Sequence, residues 1–235
     1  MQIRQIHQHD FAQVDQLIRT AFENSEHGYG NESELVDQIR LSDTYDNNLE
    51  IVAVLQNEVV GHGLLSEVYL DNGAQREIGL VLAPVSVDIH HQNKGIGKRL
   101  IQALEREAIL KGYNFISVLG WPTYYANLGY QRASMYDIYP PYDGIPDEAF
   151  LIKELKVNSL AGKTGTINYT SAFEKIWFKA RITLGRVHIN NKKCLQSNRT
   201  LSFVILKIAI NKMFVSKVLL WIIKYRYKLI AIMQF

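Results

Sequence analysis

Val85-Ser86-Val87-Asp88-Ile89-His90-His91-Gln92-Asn93-Lys94-Gly95-Ile96-Gly97-Lys98-Arg99-Leu100 opens as a strand and closes as a helix. Val85, Val87 and Ile89 alternate with Ser86 and Asp88, the two-residue period of a pleated ribbon. Leu100, Ile101, Leu104 and Ala108 then recur at three- and four-residue steps, the spacing of one helical face. Gln92 to Gly97 between them is a polar, glycine-spaced turn. Such a turn leaves several backbone N–H groups aimed at one point beside the positive end of the helix dipole, which suits a phosphate. Lys94, Lys98 and Arg99 strengthen the field. Two common phosphate motifs do not fit. A dinucleotide fingerprint needs a third glycine where Leu100 stands, and a P-loop needs glycine at Gln92 and Ser or Thr at Arg99.

Upstream, Gln2 to Ile6 reads as a strand and Asp10 as the cap of a helix, with Gln13 at the capping-box position. Phe11, Val14, Leu17, Ile18, Ala21 and Phe22 form its apolar stripe. Asn31 with Glu34 signals a second, short helix through Ile39. Two strands, Leu49 to Val54 and Val59 to Tyr69, make a hairpin turned at Gln56-Asn57-Glu58. A second turn at Asp71-Asn72-Gly73 leads to a strand over Glu77 to Leu82, and Pro84 marks a break before Val85. His62, between Gly61 and Gly63, marks a bulge. Downstream, the helix stops at Gly112, a C′ position, and Phe115 to Leu119 is a short strand. Gly120-Trp121-Pro122-Thr123-Tyr124-Tyr125-Ala126-Asn127-Leu128-Gly129-Tyr130 is a short helix opened by Pro122 and closed by Gly129. Gln131 to Tyr139 and Ala149 to Leu155 supply the last strands.

Q-x-x-G-x-G after an apolar strand, carried by Gln92, Gly95 and Gly97, resembles the acetyl-CoA pyrophosphate loop of the GNAT N-acetyltransferases. The later G-W-P-T-Y-Y-A-N-L-G-Y resembles the short helix after that family's fifth strand, particularly in its YhbS-like branch. The likeness covers roughly residues 1–173. It implies an α+β fold with a mixed, mainly antiparallel sheet, splayed between strands 4 and 5 and flanked by helices.

The resemblance also implies the chemistry. Acetyl-CoA is the expected co-substrate, with no metal. Its diphosphate would lie on Gln92, Asn93, Lys94, Gly95, Ile96, Gly97 and Lys98. Its pantetheine arm would pair with the backbone of Val85 and Val87, and Asn127 and Tyr125 would lie near the sulfur. Tyr125, four residues before the closing glycine, matches the family's frequent general acid, and Tyr124 reads as a packing residue. The base is open: Glu77 leads by analogy, with Glu67 and Asp88 as rivals. His90 and His91, adjacent on a strand, would point to opposite faces and so could not share an ion.

The acceptor is a primary amine of a small molecule or a protein. Its pocket would be lined by the Phe22–Asn31 and Tyr136–Glu148 loops, whose Glu23, Glu26, Tyr29, Tyr136, Tyr139, Tyr142 and Asp143 suit a cationic group. The rival reading is a catalytically weak acyl-CoA-binding regulatory module held at a membrane by its tail. No specific nucleic acid is expected as a partner; a homodimer is compatible.

Charge is sharply divided along the chain. All 23 Asp and Glu lie at or before Glu174, against thirteen Lys and Arg there, giving −10; thirteen more Lys and Arg follow, giving +13. The single cysteine excludes an internal disulfide framework. Residues 1–174 therefore read as a cytoplasmic domain without a signal-peptide run, and 175–235 as a basic, apolar tail outside the fold. The tail's longest uncharged run, Leu229 to Phe235, falls far short of the roughly 20 residues that a membrane span needs. Three readings stand for it: a contact with anionic membrane, non-specific nucleic-acid binding, or a non-native extension of a finished domain. The last is preferred, because the family-like segment ends where the composition changes.

Overall fold

The two longest strands are buried on both faces over most of their length, and the sheet grows outward from them. The computed structural model describes residues 1–25, 28–142 and 144–174. Glu26, Asp143 and the 175–235 tail lie outside the described residues. The order is β1 (Gln2–Gln5), α1 (Phe11–Glu23), α2 (Glu32–Arg40), β2 (Glu50–Leu55), β3 (Glu58–Asp71) and β4 (Arg76–Val87). It continues with α3 (Ile96–Leu110), β5 (Phe115–Leu119), α4 (Pro122–Ala126), β6 (Gln131–Arg132), β7 (Ile138–Tyr139), β8 (Phe150–Glu154) and β9 (Gly165–Tyr169). The sheet runs β1-β2-β3-β4-β5-β8-β6, and β9 pairs with β3 and β7. Pairing is antiparallel except at β4–β5 and β7–β9. The fold is the expected α+β architecture with a mixed sheet and flanking helices. Among the described residues, no helix is long and apolar enough to cross a membrane.

Side-chain alternation separates the two faces. A Cβ on Gly61 would lie 3.0 Å from Ile96 and Leu100, and one on Gly63 would lie 3.0 Å from Leu104. The odd positions of β3 here thus face α3, and the two glycines let that helix lie close. The even positions face α1 and α2, where Arg40 of α2 reaches Glu50 on β2. The core fills both faces: Val14, Ile18 and Phe22 of α1 on one, Leu100, Ile101 and Leu104 of α3 on the other.

Several local expectations are corrected. Asp10 does not cap α1 through its side chain; its carboxylate accepts from Arg4 (2.6 and 2.9 Å) and from the His7 N–H (2.8 Å). Gln13 accepts from the Val59 N–H instead of closing a capping box. Asn31 sits in the left-handed region at φ 74° without a side-chain cap, and Glu34 bonds Tyr29 and Arg19. Pro84 does not break the strand: β4 runs unbroken through it. The register passes from Gly63–Val85 to Leu65–Leu82, so Ala83 and Pro84 together oppose Leu64 in a bulge that spares proline an inter-strand N–H bond. His62 is paired in register with Val52 and Ser86 and lies beside that bulge rather than in it. His90 and His91 sit in a 3-10 turn, not on a strand. Gln131 to Tyr139 is two short bridges around a 3-10 turn, and β9 is a further strand.

Candidate active site

Alternating hydrogen bonds along β3–β4 decide what the free edge of β4 offers. The Asp88 N–H donates to Val60 O (3.0 Å), just past the Gly61–Val87 pair. Hydrogen-bonded rungs in an antiparallel ladder alternate, so His62–Ser86 is the next such rung. Gly61–Val87 and Gly63–Val85 are not. The backbone groups of Val85 and Val87 therefore point away from β3. On that side β4 pairs with β5 only at Leu80–Ile116 and Val81–Ser117. Ser117 donates its hydroxyl to Leu80 O (3.1 Å) at this last rung. Beyond Val81 no strand among the described residues covers the edge, and a slot opens between β4 and β5. Gln92 Nε2 of the loop donates to Val87 O (3.2 Å) at the slot's mouth.

The slot ends at the glycine-spaced turn. Asn93 (φ 60°) and Gly95 (φ 76°) take left-handed conformations, and Gly95 is the N-cap of α3. Only glycine adopts this region without a penalty, and a Cβ there would project into open space over the turn. The Arg99 N–H donates to Gly95 O (3.2 Å), so the N–H groups of Ile96, Gly97 and Lys98 precede the first helical bond. Ile96 contributes backbone only, its side chain being buried in the core. Lys94 folds back to His90 O (2.9 Å), whereas Lys98 and Arg99 are exposed. A cleft of about 270 Å³ lies over the turn, lined by Val87, His91, Gln92, Asn93, Gly95 to Lys98, and Tyr124.

Tyr124 and Tyr125 part company. Tyr124 forms the cleft wall opposite the turn. Tyr125 is fully buried behind it, edge-on to Tyr124 (5.0 Å, 85°) and to Tyr130 (5.4 Å, 75°). Its ring lies against Gly120 at the end of β5, where a Cβ would come within 2.4 Å of it. Burial pushes the Tyr125 hydroxyl well above its ordinary pKa, with Tyr124 adding to the effect. Asn127 is exposed and donates to Thr123 O (2.9 Å), closing α4 instead of facing the cleft.

The carboxylates proposed as bases do not gather at the slot. Glu77 accepts from Lys163 (2.6 Å) and Asn114 (2.8 Å). It lines a different groove, of about 520 Å³, near the β3–β4 turn. Eight residues before Val85, it lies about 25 Å away along the strand. Glu67 accepts from the Tyr113 hydroxyl (2.7 Å). Asp88 accepts from His90 N–H (2.9 Å) and bonds His91 Nδ1 (2.8 Å). Burial would raise the Asp88 pKa, but these hydrogen bonds outweigh it and hold it below the usual range. No group of His, Cys, Asp and Glu among the described residues is arranged to hold a metal ion.

Two features escape a linear reading. One is Tyr124 on the cleft wall, in place of a packing role. The other is a buried polar line: Arg40 and the Tyr45 hydroxyl (2.7 Å) on Glu50, and Glu50 on His62 Nε2 (2.8 Å). Glu50 at the head of the apolar run Ile51 to Leu55, and a histidine inside an apolar strand, were the available signals.

Comparison with known proteins places this geometry. Residues 11–133 match the model of the acetyltransferase (GNAT) family. The uncharacterized N-acetyltransferase YhbS of Escherichia coli K12 is 26% identical over 165 residues, 69% of this chain and 92% of that protein. The uncharacterized N-acetyltransferase YjhQ of the same organism is 28% identical over 121 residues, 52% of this chain and 67% of that protein. The crystal structure of E. coli YhbS in complex with CoA superposes with a TM-score of 0.65, covering 74% of this chain and 91% of that one. A GNAT family acetyltransferase from Brucella melitensis in complex with acetyl-CoA gives a TM-score of 0.59 at 26% identity, covering 73% of this chain and 97% of that one.

Proposed function

This chain belongs to the acetyltransferase (GNAT) family, and from that premise we propose that it transfers the acetyl group of acetyl-CoA to a primary amine by direct attack. The observation that carries this reading is the open β4 edge running straight into the Gly95–Gly97 turn. That edge suits an extended amide-bearing arm, and the turn suits its diphosphate. Both CoA-bound relatives share the fold. A gap between parted strands would give access from both faces of the sheet. The turn occupies the α3 face, which leaves the α1–α2 face to the acceptor amine. Remote binding at the diphosphate would position the thioester, so that attack is effectively unimolecular. A backbone N–H at the slot would face the developing oxyanion.

Tyr125 is the proposed donor to the departing thiolate. Burial keeps the Tyr125 hydroxyl protonated, as a donor must be, while its raised pKa makes it a weaker acid than a free phenol. Tyr125→Phe should lower kcat by about 10²-fold with acetyl-CoA affinity little changed. Tyr124→Phe, on the cleft wall, should affect affinity more than turnover. The reverse pattern would move the acid role to Tyr124.

The test of the function is release of free thiol from acetyl-CoA by the full chain across a panel of primary amines, small cationic amines and peptide N-termini included. Amine-dependent release is expected. Tight CoA binding without release from any amine would favour a binding module instead. We also place the domain boundary at Glu174. A chain ending there should keep the thermal midpoint and gain solubility; loss of cooperative unfolding on truncation would show that the basic segment belongs to the fold.

A further inference from the structure

The amine must lose a proton; Glu77 and Glu67 are engaged away from the turn, and Asp88 beside it is held by His90 and His91. On the acceptor face of the sheet, however, one titratable side chain is built like a base. His62 is fully buried, and its Nε2 is 2.8 Å from the Glu50 carboxylate. Glu50 is held as an anion: burial would raise its pKa, but His62 and Arg40 together bring it down to about 2. A carboxylate can only accept, so Nε2 carries the proton and donates. In the neutral ring this leaves the Nδ1 lone pair free.

Nδ1 is buried without a hydrogen-bond partner among the described residues, and so is the hydroxyl of Ser86. The two residues form one hydrogen-bonded rung of β3–β4, on the same face, with Cα atoms about 5.5 Å apart. Two unsatisfied polar atoms on the same face of one buried rung are costly unless something uses them. Ser86 sits between Val85 and Val87, the residues whose backbone lines the slot. The charged or titratable groups on this line are Glu50, and through it Arg40 and Tyr45.

We propose that His62 is the proton acceptor of the acetyl transfer, reached through Ser86. This rests on the acetyltransferase reading above. The ammonium form of the acceptor passes a proton to Ser86 Oγ as Ser86 passes its own to His62 Nδ1, leaving a neutral amine and an imidazolium paired with Glu50. The amine lone pair forms the C–N bond, the C–S bond breaks as the thiolate takes a proton from Tyr125, and the second N–H proton of the nitrogen passes to the Tyr125 phenolate, leaving the neutral amide. Loss of one proton to solvent resets the pair, so each turnover yields amide, free thiol and one proton.

The test has two arms on the full chain. In ligand-free protein at pH 7, long-range ¹H–¹⁵N correlation, assigned with His62→Gln, should show His62 protonated at Nε2 and bare at Nδ1. A proton on Nδ1 overturns the proposal whatever the turnover. In the second arm, His62→Gln, which can still donate to Glu50, should lower kcat for an alkylamine from the panel by about 10²-fold at pH 7. CoA affinity should stay within twofold. The deficit should shrink toward pH 10, where an alkylamine of pKa about 10.4 deprotonates unaided. Ser86→Ala, which removes a single oxygen, should show the same pH-dependent deficit and covers the case of a misfolded His62 variant. A deficit equal at every pH marks a structural role and overturns the proposal. A wild-type chain inert toward every amine overturns the reading beneath it, a failure that the first arm tells apart.

Discussion

Gly95→Glu and Gly97→Glu should each abolish the stabilisation that acetyl-CoA confers on the wild-type chain. At about 100 times its Kd, a ligand that binds only the folded state adds roughly 2.7 kcal/mol. That is on the order of 5–10 °C in Tm for a domain of this size. The gain depends on the N–H groups at the start of α3 and on the absence of a side chain over them. A carboxylate at either glycine places negative charge where the diphosphate's charge must sit, beside a helix terminus that otherwise favours anions. Gly95 adds a conformational reason. At φ 76° any other residue is strained, so Gly95→Glu should also lower the ligand-free Tm. Gly95→Ala separates the two effects: it carries the strain without the charge, and should keep part of the ligand shift. Differential scanning fluorimetry with and without acetyl-CoA checks all three. An undiminished shift in both Glu variants would remove the turn from the binding site.

The turn was readable because its chemistry is local: a strand, two glycines and a helix start lie within sixteen consecutive residues. The same locality made the order of elements readable on either side. Failures occurred where register, not sequence neighbourhood, decides. Pro84 looks like a terminator by propensity, yet opposing two residues to Leu64 lets the strand continue through it. Glu77 looked close to the site on the list of residues, but an extended chain carries it to the other end of the sheet. Tyr124 and Tyr125 are adjacent in sequence, and only their rotation about a five-residue helix decides which one faces the cleft. Arg40, Glu50 and His62 are ten and twelve residues apart, and meet only because β2 and β3 align with the end of α2.

That buried triad gives the largest expected loss of stability. Glu50→Ala should cost about 3–5 kcal/mol, because removing one partner of a buried ion pair leaves the other uncompensated. Here the group left behind is the Arg40 guanidinium, stacked 3.9 Å over the Phe11 ring with most of its surface covered and keeping only the exposed Asp37 (3.5 Å) as an anionic partner. His62 and Tyr45 lose their acceptor in the same step. The pH dependence gives an independent reading. The Glu50 pKa is depressed on folding from about 4.3 to about 2, against the pull of burial, by hydrogen bonds from His62 and Arg40. Stabilisation from a depressed carboxylate is fully present above its unfolded pKa and is lost as pH falls through its folded pKa. The contribution, about 3 kcal/mol, should therefore hold at pH 7, begin to fall below about pH 4.3, and be largely gone near pH 2. Urea unfolding of wild type and Glu50→Ala across this range should show the gap between them narrowing as the solution is acidified. A gap that stays constant from pH 7 to pH 2.5 would mean that Glu50 is not held as the anion, and the hydrogen bond that fixes the His62 tautomer would lose its physical basis with it.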